Sequence, residues 1–267
     1  MLLTITAGSM ATNLCAFHAL PYFPQPLQPI AEVGYDFEYF KRVEGLFDDH
    51  FPEHGHTANL GLLFAPNLDW CLEATLRLTD TNRHHFFFND VEFAARYLFL
   101  DDVIGDPLSL CGGIAATISS RKSLDDFLTE HLSQVDIDLF AAAGHEQAIG
   151  ARWFERTLLM GGITIPIRGS PLFWFEAALH FNDRDRYVFG LWIGGAVGLG
   201  GHNLSTPGDF KGYGPIKTRS AETGLFIERS LSLFGSLIFE YSIRLFAHNL
   251  PQYAQCFSLT LLVPISL

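Results

Sequence analysis

The sequence is short of charge, and above all of lysine. Charged residues make up 17% of its 267 positions, below the ~25% of an ordinary soluble domain. Only four lysines occur, Lys41, Lys122, Lys211 and Lys217. With 29 acids against 17 bases the formal net charge is -12, which excludes nucleic acid as a partner because phosphate binding needs clustered Lys and Arg. No apolar run is long enough for a membrane helix, which needs ~20 residues. The longest, Phe189 to Gly201, holds six glycines. The four cysteines, Cys15, Cys71, Cys111 and Cys256, form no CxxC and no metal spacing, so isolated thiols are expected rather than a disulfide framework. No Lys or Arg precedes Lys41, so Met1 to Ala19 lacks the basic start of a secretory signal. Residues 1–30 are read as a signal-like, periplasmic or plug segment, with a Pro-rich linker at Pro21, Pro24, Pro26 and Pro29.

What the chain does have is grease: mean hydropathy is +0.19, aromatics reach 14%, and Phe alone supplies 25 residues. A greasy chain without a spanning helix points to the other structure that satisfies its backbone in lipid, a closed β-barrel. The signature is present. Leu68, Trp70, Leu72, Ala74, Leu76 and Leu78 alternate with Asp69, Cys71, Glu73, Thr75, Arg77 and Thr79. A helix would mix the two sets, so the segment is a strand. Phe93, Tyr97 and Phe99 oppose Glu92 and Arg96; Ile137 and Leu139 oppose Asp136 and Asp138; Phe239, Tyr241 and Ile243 oppose Glu240 and Arg244. About twelve such segments fill residues 31–267. Only 151–165 resists a facing, because Arg152 and Arg156 share one parity and Glu155 takes the other.

Connections alternate short and long. Short ones are expected at Pro66-Asn67, Asp101 to Pro107, Gly144 to Gln147, Asn182 to Arg186 and Arg229 to Ser232. Longer ones include Arg121 to Gln134 and Gly200 to Ser220. That is the rule for short periplasmic turns and longer outer loops. A soluble sandwich also alternates, but strands near ten residues exceed the ~5–6 usual in globular sheets. Aromatics also recur toward strand ends (Tyr35, Trp70, Phe87, Tyr97, Phe99, Phe181, Tyr187), as interfacial girdles require.

The last segment resembles the carboxy-terminal strand of Gram-negative outer-membrane β-barrel proteins, in which alternating apolar residues up to the terminus are read by the barrel assembly machinery. Phe257, Leu259, Leu261, Val263, Ile265 and Leu267 match, although Leu267 stands where Phe is usual and Pro264 removes a ladder donor. The resemblance implies an all-β transmembrane antiparallel barrel in the bacterial outer membrane, with that lipid and that machinery as partners.

With apolar faces on lipid, the expected lumen lining is Asp69, Glu73, Arg77, Asp90, Glu92, Arg96, Asp136, Asp138, Glu176, His180, Glu240 and Arg244. Acids outnumber bases, so a narrow porin-like channel would favour cations or small cationic solutes. The same charges can instead pair and plug the interior. A structural or adhesive barrel would use the loop Gly200 to Ser220. A lipid hydrolase is the enzymatic alternative: His131-Leu132-Ser133 has the His-x-Ser spacing of the outer-membrane phospholipases, but in a predicted loop, and no catalytic residue is assigned. His50, His54 and His56 with Asp48, Asp49 and Glu53 read as a solvated loop rather than a metal site. No cofactor is expected.

Overall fold

A computed structural model describes residues 21–44, 52–183, 186–204 and 210–265. Twelve strands close into one antiparallel barrel. In chain order they are β1 Ile30–Phe40, β2 Glu53–Phe64, β3 Trp70–Thr81, β4 Phe87–Leu100, β5 Ser109–Ser119 and β6 Val135–Ile149. There follow β7 Trp153–Pro166, β8 Leu172–Asp183, β9 Tyr187–Gly198, β10 Arg219–Ser230, β11 Ser236–His248 and β12 Gln255–Pro264. Each pairs with its sequence neighbour, and β12 closes on β1 with Ile30 opposite Pro264 and Tyr39 opposite Gln255. Closure leaves no edge, so every wall N–H and C=O can be satisfied without water. Pro264 costs little because it stands at the end of its strand. Leu267 lies outside the described residues.

Ile30 and Pro264 lie at the end that carries the short turns 65–69, 101–108, 150–152 and 231–235, which for such barrels is the periplasmic end. One expected turn is displaced. Gly144 to Gln147 does not reverse the chain; β6 runs on to Ile149, and Gly150, at φ +69°, makes the turn. The extension matters because it brings Glu146 opposite Arg156 across β6 and β7.

The outer face is apolar along its height. Val33, Leu60, Leu72, Phe93, Ile114, Leu139, Leu159, Phe175, Leu191, Leu225, Phe239 and Leu259 are all exposed. Such a belt is expensive in water and favourable in hydrocarbon. Near the short-turn end, Trp70 meets Tyr97 with ring centroids 5.1 Å apart, and Trp153 meets Phe189 at 6.3 Å. Near the other end Tyr241 meets Phe257 at 4.9 Å. Phe87 is the exception among the expected girdle residues. The register slips between Arg77 and Leu78, so Asn89 and Asp90 both point inward and Phe87 is buried.

The facing of β7 is now defined: Arg156, Leu158, Met160 and Thr164 are buried and Thr157, Leu159 and Ile165 are exposed. Its inward face is apolar at Leu158 and Met160, which weakens the contrast that alternation depends on.

Candidate functional site: the barrel interior

Of the expected lining residues, Glu73, Arg77, Asp90, Glu92, Arg96, Asp136, Asp138, Glu176, His180, Glu240 and Arg244 project inward and are shielded from solvent. Asp69 does not. It stands exposed in the turn 65–69, where the Asn67 side-chain oxygen accepts from its N–H at 3.0 Å and from that of Trp70 at 2.9 Å. This Asx turn delays the start of β3 to Trp70. Arg152 likewise lies in a turn, where it grips Asp183 with both guanidinium arms at 2.8 Å.

Glu222 and Glu228 on β10 face inward too, as alternation along that strand implies, and the wall adds Glu32 and Asp36 on β1, which the sequence reading did not place there. Four arginines answer them. Arg77 holds Asp90 at 2.7 Å and Glu92 at 3.2 Å. Arg96 holds Glu73, and Arg156 holds Glu146. Arg244 bridges Glu222 at 2.6 Å and Glu130 at 2.5 Å. Asp36 accepts from the Asn59 amide at 2.6 Å, and Glu240 from the Trp192 indole at 3.0 Å. One oxygen each of Glu32, Glu176 and Glu228 has no hydrogen-bond partner among the described residues. The interior therefore carries more carboxylate than guanidinium.

Rings take up the space beside three of its glycines. The Phe226 ring lies across the space a side chain on Gly190 would need. A side chain on Gly224 would stand 2.5 Å from the Trp192 indole, and one on Gly162 would stand 2.9 Å from that of Trp174. Each inward ring leans on a glycine of the neighbouring strand, so aromatic volume occupies the space those glycines vacate.

The outer end is closed by the chain itself. The segment 120–134 begins as one helical turn, Arg121–Leu124, capped by the Ser120 hydroxyl. It then dives inward, and Phe127, Leu128, Glu130, His131, Leu132 and Ser133 are all buried. Residues 210–214 of the following long connection pack on it. The Phe127 and Phe210 rings lie 4.3 Å apart, and Tyr213 donates its hydroxyl to the Phe127 carbonyl at 3.1 Å. The Tyr213 and Gly214 amides donate to His131 and Leu132 carbonyls at 2.8 and 2.9 Å. Gly212, at φ +89°, allows this approach, since a side chain there would stand 2.9 Å from the Leu132 oxygen. Burial of such side chains stabilises by roughly 1.5–3 kcal/mol each. That offsets burial of Glu130, whose carboxyl is pushed up to about 8 by loss of water; the Arg244 guanidinium opposes this and Glu222 adds to it.

The His-x-Ser spacing does not make a nucleophile. The Ser133 hydroxyl donates to the Val135 carbonyl at 2.6 Å and meets Asp136 at 2.9 Å. The His131 ring faces Asn89 at 3.2 Å and Asp90 at 3.4 Å instead. His54 and His56 sit on β2, with His56 against the Tyr35 hydroxyl at 2.5 Å; His50 lies outside the described residues. No metal-binding cluster occurs among the described residues. Cys71, Cys111 and Cys256 are buried, and Cys15 lies outside the described residues.

Sequence reasoning missed Glu130 and the infolding of its loop. The signal was there: Phe127, Leu128 and Leu132 are too apolar for a loop in water.

A closed twelve-stranded barrel, apolar outside and charged inside, defines an outer-membrane β-barrel, and the chain belongs in the bacterial outer membrane. No known family profile matches the sequence, and no curated protein matches it significantly. Solved structures do. An outer-membrane channel from Pseudomonas putida F1 superposes with a TM-score of 0.63 at 11% identity, over 89% of this chain and 95% of that one. The NanC porin gives 0.55 at 8% identity, over 88% and 100%. The translocator domain of autotransporter NalP from Neisseria meningitidis gives 0.50 at 15% identity, over 89% and 87%. At such identities the likeness is one of fold.

Proposed function

We propose that this barrel is a narrow, porin-like channel that admits cations or small cationic solutes. The observation that carries the reading is the surplus of inward carboxylate, which leaves one oxygen each of Glu32, Glu176 and Glu228 without a hydrogen-bond partner among the described residues. Negative groups in a low-dielectric tube raise the local concentration of cations. The paired acids shape the tube, and the unpaired ones set its sign. The outer segment 120–134 is the part that must yield for passage, because it is held by side-chain contacts and a few isolated backbone hydrogen bonds and not by a strand ladder. The terminal strand β12 is the segment we propose the barrel assembly machinery to engage before it closes on β1.

The test is single-channel conductance in a planar bilayer under a salt gradient. Cation-selective steps are expected, with selectivity reduced by Glu176→Gln. Glu176 is the position of choice because its neutralisation strands no arginine. Anion selectivity, or a silent bilayer from protein shown to be inserted, would overturn the proposal.

A further inference from the structure

The periplasmic half of the barrel holds a second occupant, the segment of the chain that precedes β1. Residues 24–29 follow the short-turn end. Leu27 donates its amide to the Ala65 carbonyl at 2.8 Å, and Ile265 donates to the Pro29 carbonyl at 2.8 Å. Ahead of this tether Pro21 and Pro24 are buried, and Tyr22 and Phe23 pack against the interior cluster. The Arg156 guanidinium carbon stands 4.2 Å from the centre of the Tyr22 ring, and that of Arg96 stands 5.2 Å from the centre of Phe23. Each arginine already holds one wall carboxylate by its edge, Glu146 or Glu73. Its flat face is what remains for a ring. The wall is relieved where the segment presses on it: Pro21 and the Tyr22 hydroxyl come within 3.0 Å of the place a side chain on Gly144 would occupy.

The attachment differs in kind from that of the wall. Residues 21–24 belong to no strand. Two ring–guanidinium stacks hold it, whereas the wall is held by a continuous ladder. The segment is thus able to leave while the barrel stays closed.

We propose that Pro21–Pro24 is a displaceable stopper for the periplasmic half of the barrel, seated by ring stacking of Tyr22 on Arg156 and of Phe23 on Arg96. It is an autoinhibitory contact built into the chain, and it rests on the channel reading above. Displacement uncovers two guanidinium faces on a path where carboxylates outnumber guanidinium groups.

The experiment compares three proteins in planar bilayers, each shown to be inserted and folded by heat-dependent gel mobility. They are the native chain, the Tyr22→Ala/Phe23→Ala pair, and the ring-preserving pair Tyr22→Phe/Phe23→Tyr. The alanine pair is expected to raise conductance or open time severalfold, and the ring-preserving pair to behave as the native chain does. Gly144→Val, which thrusts a side chain into the seat from the wall, is expected to open the barrel in the same sense. Equal conductance of the native chain and the alanine pair overturns the stopper and leaves the channel standing. Silence of both overturns the stopper and the channel reading together.

Discussion

Raising the pH should release the segment 120–134 from the barrel mouth, and Glu130 should be the reason. Glu130 is fully buried, and one of its oxygens has no hydrogen-bond partner among the described residues. Burial raises its pKa from 4.5 to about 8, against the pull of Arg244. If the segment swings out, the carboxyl meets water and regains its ordinary value. A group whose pKa is raised in the docked state favours docking fully below the undocked value. That contribution is lost as pH rises through the docked one. The window is therefore about 4.5 to 8, with a slope approaching ~1.4 kcal/mol per pH unit. Between pH 6 and pH 8 the docked state should weaken by about 2 kcal/mol, roughly a thirtyfold change in the docked-to-released ratio. Exchange of the Leu132 and Tyr213 amides reads this directly. The first donates to Asp136 at 3.1 Å and the second to the His131 carbonyl at 2.8 Å. Glu130→Gln keeps an acceptor for Arg244 and removes the titration, so its exchange should lose that pH dependence. His131, Asp126, Glu53, Glu222 and Asp136 remain in both proteins, so the difference isolates Glu130. A native slope of opposite sign, or an unchanged slope in Glu130→Gln, would refute the reasoning.

Two further changes test the wall. Gly190→Ala sets a methyl against the Phe226 ring, which is 2% exposed and backed by the His180 ring at 4.9 Å; the urea midpoint of the barrel in detergent should fall by the equivalent of ~1–3 kcal/mol, and an unchanged midpoint would mean that the ring has room to retreat. Leu191→Arg places a charge mid-strand on the outer face, between Leu179 and Leu225; folding into vesicles should be weakened by ~2–4 kcal/mol, and a cost near zero would show that this face does not meet hydrocarbon.

The outside of the barrel was legible from sequence and the inside only half so, for a physical reason. Lipid imposes one rule on every outward position, so Leu76, Phe93 and Leu139 declare their face independently of any partner. An inward position answers to whichever strand stands beside or across from it. The parity of Arg156 on β7 is unreadable without Glu146, and Glu146 was hidden because a turn was expected at Gly144. Leu158 and Met160, inward but apolar, break the alternation further, since they belong to an interior cluster against which the chain's own Tyr22 and Phe23 pack. The mouth shows the same limit. The apolar character of Phe127 and Leu132 is plain in the sequence, yet nothing local to the segment 120–134 announces that Arg244, 114 residues away from Glu130, will meet it. Alternation therefore yields strand count, facing and the acid surplus. Pairing of those acids, and the segments that close the tube, follow only from closure of β12 on β1. Closure brings the β10–β11 wall, with Glu222 and Arg244, against an infolded segment that the sequence places between β5 and β6. Whether the tube conducts thus depends on the residues least visible in the pattern, which is why the decisive variants lie at Glu130, Tyr22 and Phe23 rather than among the lining acids that alternation picks out.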